Sequence, residues 1–147
     1  MNVSARWETK RWPPHQFAEA ADRLADAHGL PIVFMGGPAE RPETRAVMAR
    51  MRTKAVDLTG QTPVGLLPSL LRRAAVLVTN DSGPMHIAAA VGTPVVALFG
   101  PTDPVKTGPY GPGHWIVQPD MGCAPCGFDQ VCLHHACKDR LVPDQIA

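Results

Sequence analysis

The sequence predicts an α/β fold built on a doubly wound parallel sheet. Three observations carry that prediction. Short apolar runs rich in Val and Ile alternate with stretches whose apolar residues recur at helical spacing. The 13 glycines and 16 prolines fall singly at the joints between these segments, as a fold with many short loops requires. Each apolar run ends in small, polar or acidic residues. Strands alternating with helices at this spacing imply crossover connections and a sheet covered on both faces.

The elements follow in order. Pro13 and Pro14 open a helix with Phe17, Ala20, Ala21, Leu24 and Ala27 on one face, and Gly29 closes it as a C-terminal cap. Residues 31–35 read as a strand buried on both faces and end in Gly36-Gly37-Pro38. Residues 40–51 are helix-like, with Val47, Met48 and Met51 on one side. A second strand over 55–58 ends in Thr59-Gly60. Thr62 reads as an N-cap with Pro63 at the first helical position, before a stripe of Leu66, Leu67, Leu70, Leu71 and Ala74. Pro68 should kink that helix or delay its start. Residues 76–79 form a third strand, and 84–91 a short Ala-rich helix capped by Gly92. Residues 94–99 form a fourth strand, and Trp115-Ile116-Val117 a candidate fifth. The chain is loop-rich beyond Pro101. Trp7, Trp12 and Trp115 are expected to pack.

Composition narrows the function classes. The 147 residues suffice for one domain with a core, spanning residues 1–147, and residues 120–147 form a loop-rich tail. Fourteen basic against 13 acidic residues leave a net charge of +1, so bulk charge excludes nucleic acid as a partner. The longest apolar stretch, 87–100, is broken by Gly92, Thr93 and Pro94, whereas a bilayer span needs ~20 apolar residues. No transmembrane segment or signal-peptide core is read from the sequence, and the chain is expected to be cytoplasmic.

Ligands of an open parallel sheet bind at the carboxyl ends of its strands. The residues falling there are Gly36 to Glu40, Thr59 to Thr62, Asn80 to Gly83 and Gly100 to Asp103. The third set is the most informative. A strand runs into Asp81-Ser82-Gly83 and a helix starts at Pro84, which puts Ser82 and the amides around Gly83 at a helix N-terminus that favours an anion. Gly83 lets a phosphate approach the backbone, and His86 lies in the first turn. The plainer reading of an isolated Asp-Ser-Gly is an N-cap, with His86 a polar surface residue. Neither a G-x-G-x-x-G fingerprint nor a G-x-x-x-x-G-K-[ST] loop occurs, which counts against a nicotinamide dehydrogenase and a P-loop hydrolase.

Four blocks taken together go further: Thr9-Lys10-Arg11-Trp12-Pro13, Gly36-Gly37-Pro38-Ala39-Glu40, the run from Asn80-Asp81-Ser82-Gly83 through Met85-His86 to Ala90, and Leu98-Phe99-Gly100-Pro101-Thr102-Asp103-Pro104. In order and spacing they resemble the ADP-heptose:lipopolysaccharide heptosyltransferases, the family-nine glycosyltransferases. The match covers their carboxy-terminal, nucleotide-sugar-binding half, from about Ala5 onward. The resemblance implies a Rossmann-like doubly wound sheet, the carboxy-terminal half of a GT-B glycosyltransferase. It implies that Lys10 contacts the donor diphosphate and that Glu40 accepts hydrogen bonds from the ribose. Asp81 would lie near the transferred sugar, Ser82, Gly83 and His86 would form the diphosphate turn, and Thr59 to Thr62 would lie by the adenine.

The implied activity is inverting transfer of heptose or a related sugar from an ADP-sugar to lipopolysaccharide core or another envelope glycan, at the cytoplasmic face of the inner membrane. Preorganised amides and a lysine can stabilise the departing diphosphate, so no cofactor is required. Two departures stand out. Family members carry a strand, usually followed by Pro-Gly, before the Ala5-Arg6-Trp7 block, so the first strand of this half is expected to be missing or remnant. The amino-terminal domain, which in the family holds the acceptor and the catalytic base, is absent, and a further helix is expected after Pro143-Asp144. No catalytic base is therefore assigned in this chain, which is expected to be inactive alone. The alternatives are a catalytically silent nucleotide-sugar-binding module or gene remnant, a partner for a companion amino-terminal half, and a metal-binding interaction domain organised by the cysteines.

All four cysteines lie between 123 and 137, spaced Cys123-x2-Cys126-x5-Cys132-x4-Cys137, with His134 and His135 among them. Such a cluster is open to three readings: reduced structural thiols, zinc or another metal, or disulfides. The spacing matches no standard zinc finger or ribbon.

Overall fold

The computed structural model of the chain describes residues 1–127, 132 and 134–146. Helix α1 (Pro14–His28) starts on prolines because its first amides need no partner inside the helix. It ends at Gly29, whose positive φ of 64° is left-handed, and the Gly29 amide donates to Ala25 O at 2.9 Å. Strand β1 (Ile32–Phe34) follows, then a 3-10 turn, Pro38–Glu40, and helix α2 (Arg41–Met48). Strand β2 (Ala55–Asp57) pairs in parallel with β1. It is shorter than predicted and only partly buried, since it forms the outer edge of the layer.

The predicted helix start at Thr62 is not where the α-helix begins. Residues Val64–Leu66 make a 3-10 turn, and α3 (Leu67–Leu71) opens only at Leu67, with Pro68 in its first turn. A continuous helix would need an amide at Pro68 and would clash with its ring, so proline delays the start. Strand β3 (Leu77–Asn80) leads into α4 (Gly83–Ala90), and β4 (Val95–Leu98) lies beside β3 in parallel register. Beyond Pro101 the chain is less irregular than predicted. It forms α5 (Pro104–Thr107) and α6 (Ala136–Asp139), and the candidate fifth strand forms as β5 (Trp115–Val117), parallel to β4. The Asp103 carboxylate accepts the Val105 amide at 2.9 Å and so caps α5.

The first strand, expected to be missing or remnant, is present as a remnant, residues 1–3. The Met1 ammonium donates to Val33 O at 2.5 Å, and the Met35 amide donates to Met1 O at 3.0 Å. On the other side the Asn2 amide donates to Val78 O at 3.0 Å, and Asn2 pairs with Thr79 as a parallel bridge. The short segment therefore joins two sheets into one layer, in the order β2, β1, residues 1–3, β3, β4, β5. Chain direction reverses its sideways progress between residues 1–3 and β3, which is the switch point where doubly wound sheets bind ligands.

Period-two alternation divides the strands between two cores. Val78 and Leu98 face Phe17, Ala20, Ala21 and Val47 of α1 and α2. Leu77, Val95 and Ala97 face Leu71, Met85 and Ala88 of α3 and α4. Trp12 packs edge-on to Phe17, centroids 5.0 Å apart, and its indole donates to Leu141 O at 2.9 Å. The other two tryptophans depart from the packing prediction: Trp7 is 50% and Trp115 63% exposed. Buried Asp22 ties α1 to the turn before β2, accepting the amides of Arg52 and Thr53 and the Thr53 hydroxyl at 2.7–3.1 Å. Burial raises the Asp22 carboxyl, yet those hydrogen bonds outweigh it and hold the group below its usual range.

Candidate functional site

Three loops converge at the carboxyl edge, and backbone contacts hold them in place. After β1, the chain runs through Gly36 and Gly37. After β2 it turns at Gly60, whose φ of 73° and closeness to Pro38 Cα leave no room for a side chain. The Gly60 amide donates to Gly36 O at 2.8 Å, which locks these two loops together. Glu40 ends the turn at the tip, and its Oε2 accepts the Gly37 amide at 2.8 Å. A methyl group at Gly36 would run into that same Oε2, so the glycine is what admits the carboxylate. The hydrogen bonds of the Glu40 carboxylate to the described residues run through Oε2.

Across the switch point lies Asp81, 6% exposed. Its Oδ2 accepts Lys10 Nζ at 2.5 Å, Thr102 Oγ1 at 2.7 Å and Thr107 Oγ1 at 3.4 Å. Lys10 reaches it from a 3-10 turn, Glu8–Lys10, which is anchored where the Trp12 amide donates to Asn80 Oδ1 at 3.0 Å. Asn80 in turn donates to Val3 O at 2.9 Å, so the lysine loop is fastened to residues 1–3. A lysine that closes on a buried carboxylate from another segment brings a cation to the mouth of the switch point.

Neither Asp81 nor Ser82 caps α4. Ser82 sits at the N-cap position, but its hydroxyl turns away from the helix and donates to Asn2 Oδ1 at 3.1 Å. It also lies 3.0 Å from Thr79 Oγ1. The simple capping reading of Asp-Ser-Gly therefore fails on geometry. Gly83 is exposed, with nothing within 4 Å of where a Cβ would stand, so the helix N-terminus opens to solvent. His86 is exposed in the first turn of α4.

Thr59 and Thr62 stand apart from this group. Thr59 is 1% exposed, and its hydroxyl donates inward to Thr44 Oγ1 at 3.0 Å. Only its backbone is available at the edge, and its carbonyl already accepts Arg41 Nε at 3.2 Å. Thr62 is partly exposed in the bend before the 3-10 turn. Sequence reasoning missed Asn2, Thr79, Thr102 and Thr107. Thr102 lay within a segment placed at the carboxyl edge, but Asn2 belonged to a strand read as missing or remnant.

Cys123, Cys126, Cys132 and Cys137 all line one pocket of about 80 Å³, together with His134 and His135. All four are free thiols. Burial first, and the neighbouring thiols second, push the Cys137 thiol above its usual range. Among the described residues no three Cys, His, Asp or Glu side chains are arranged to hold a metal ion. A larger apolar cavity of about 770 Å³ opens at the opposite, amino edge of the sheet, among Leu30, Ile32, Val76 and Trp115. It brings together none of the polar residues above.

A sequence model of glycosyltransferase family 9 (heptosyltransferase) matches residues 1–136. The chain belongs to glycosyltransferase family 9. Among curated family 9 relatives, a lipooligosaccharide heptosyltransferase 2 of Campylobacter jejuni is 31% identical over 143 residues, covering 93% of this chain and 44% of that one. A lipopolysaccharide heptosyltransferase 1 of Pseudomonas aeruginosa is 33% identical over 137 residues, covering 90% of this chain and 37% of that one. A solved family 9 glycosyltransferase of Veillonella parvula superposes with a TM-score of 0.84 at 32% identity, covering 99% of this chain and 42% of that one. The solved ADP-heptose lipopolysaccharide heptosyltransferase II of E. coli superposes with a TM-score of 0.82 at 26% identity, with the same coverages. This family 9 chain thus spans less than half the length of these relatives. Among its described residues no helix is long and apolar enough to cross a membrane.

Proposed function

We propose that these residues form the donor-binding half of an inverting heptosyltransferase that takes an ADP-sugar. The single observation that carries the reading is the convergence of Lys10, Glu40, Asp81 and the uncapped start of α4 on one switch point. The chemistry fits each group. Glu40 presents Oε1 to the vicinal hydroxyls of a ribose, which donate to a carboxylate well. The amides at Ser82 and Gly83, the positive end of α4 and Lys10 meet a diphosphate. His86 adds a donor from the first turn.

In the transfer, an acceptor hydroxyl attacks the anomeric carbon from the face opposite the diphosphate. The new carbon–oxygen bond forms as the bond to the phosphate oxygen breaks, and ADP leaves with its added negative charge. Lys10 and the α4 amides stabilise that charge where it develops. The acceptor proton passes to a base lying outside these residues. Asp81 is tied to Lys10, Thr102 and Thr107, which suits an electrostatic and positioning role near the sugar rather than proton transfer. The acceptor is lipopolysaccharide core or another envelope glycan, met at the cytoplasmic membrane surface.

A companion amino-terminal half supplies the acceptor site in this reading, and the 147-residue chain by itself binds donor without transferring it. Titration calorimetry with ADP and UDP tests the donor assignment. ADP is expected to bind more tightly than UDP, and Lys10→Ala to weaken ADP about tenfold or more, the loss of a charge-assisted phosphate contact. Equal affinity for both nucleotides, unchanged by Lys10→Ala, overturns it. Glycosylation of an acceptor by the purified chain would overturn the need for the companion half.

A further inference from the structure

We propose that Asn2 is a positioning residue that couples the two ends of the donor site, holding the Glu40 carboxylate and the Ser82 hydroxyl in one hydrogen-bonded frame. The inference rests on the donor-binding reading above. Asn2 is 2% exposed on residues 1–3, midway between the β1 loop and the β3 loop. Both ends of its carboxamide are engaged. Nδ2 donates to Met35 O at 3.1 Å and its second hydrogen faces Glu40 Oε2 at 3.5 Å. Oδ1 accepts the Ser82 hydroxyl at 3.1 Å and lies 3.4 Å from the Thr79 hydroxyl, whose nearer acceptor is Asn80 O at 2.9 Å.

This arrangement admits one orientation of the amide. Turned over, the oxygen would face a carbonyl and a carboxylate, two acceptors with no proton to share. The amide dipole is therefore fixed with its positive end on Glu40 and its negative end on Ser82. Glu40 Oε2, held by Gly37 and facing Asn2, leaves Oε1 as the oxygen that points to a ligand. Ser82 gives its proton to Asn2 Oδ1, 3.1 Å away. A phosphate seated on the α4 amides also attracts that proton, and anion binding thereby draws the Ser82 hydroxyl out of the network that also seats Glu40. What happens at the diphosphate is thereby felt at the ribose.

A double-mutant cycle on ADP affinity in the 147-residue chain tests this. Calorimetry gives Kd for the native chain, Glu40→Gln, Ser82→Ala and the double variant, then for the same four carrying Asn2→Ala. The two substitutions are expected to deviate from multiplicative losses by at least about threefold when Asn2 is present, and by less than about 1.5-fold when it is not. Asn2→Ala is also expected to reduce discrimination between ADP and 2′-deoxy-ADP, whereas a general loosening of the fold would weaken both alike. Multiplicative losses in the native background overturn the coupling and leave the donor reading standing, and that half of the cycle needs no substitution at Asn2. Coupling that persists in Asn2→Ala overturns Asn2 as the link. Failure of the native chain to bind ADP overturns both.

Discussion

Lys10 Nζ and Asp81 Oδ2 lie 2.5 Å apart, joining two segments 71 residues apart in sequence across the mouth of the sheet. Lys10 is 14% and Asp81 6% exposed, so the pair is held in a poorly solvated setting where each charge depends on the other. Neither is expected to tolerate loss of its partner.

Lys10→Ala is expected to act twice. It removes the cation that meets the diphosphate, and it strands the Asp81 carboxylate with only hydroxyl donors. Stability measured by urea unfolding should fall by about 2–4 kcal/mol. Adding Asp81→Asn should recover much of that loss without recovering ADP affinity. Equal instability of the single and double variants would show that the pair is not what stabilises this edge.

Gly36 is the glycine that reads out the Glu40 carboxylate, because a methyl group there takes the place of Glu40 Oε2. Gly36→Ala is expected to move the carboxylate and erase the preference for ADP over 2′-deoxy-ADP, as Glu40→Gln should. ADP binding through the diphosphate should survive in both. Retained ribose discrimination in Gly36→Ala, read by calorimetry, would mean that Glu40 does not contact the ribose.

The buried amino group of Met1 makes stability depend on pH. Desolvation lowers its pKa from 8.0 to about 5. Above pH 8 the group is neutral folded and unfolded, and it has no effect. Between 8 and 5 the unfolded chain takes up a proton that the folded chain resists, so stability falls as pH falls, by up to about 4 kcal/mol. Chemical acetylation of Met1 keeps a neutral N–H for Val33 O and should flatten that slope. Urea midpoints at pH 8 and pH 6, with and without the acetyl group, check it, and parallel slopes would contradict it.

The cysteine pocket is expected to hold four reduced thiols and no metal. The irregular spacing, which fits no common zinc module, points that way. Metal analysis of protein purified without chelator should find under about a tenth of an equivalent, with melting unchanged by chelation. One zinc per chain, lost with a drop in melting temperature, would assign the pocket to a metal and make it organise the tail.

The fold class was legible because it rests on local chemistry. Apolar period, proline at helix starts and glycine at helix ends are properties of short segments, and α1, β1, β4 and β5 follow from them nearly residue for residue. The placing of Glu40 and Asp81 at the carboxyl edge was legible too, because residues that end parallel strands lie there, and Lys10 was singled out by four spaced blocks that resemble one family. What depended on distant partners was not legible. Residues 1–3 are too few to show a strand period, and only pairing with Val33, Met35 and Val78 makes them the middle of the sheet. Ser82 looks like a cap in one dimension, yet Asn2, eighty residues away, turns its hydroxyl from the helix. Thr59 looks like a ligand-facing residue until Thr44 takes its hydroxyl into the core. Sequence alone determined the elements and the edge on which chemistry gathers. Tertiary structure decided which way each polar side chain faces, because a buried hydrogen-bonding group must find its partner wherever the fold supplies one.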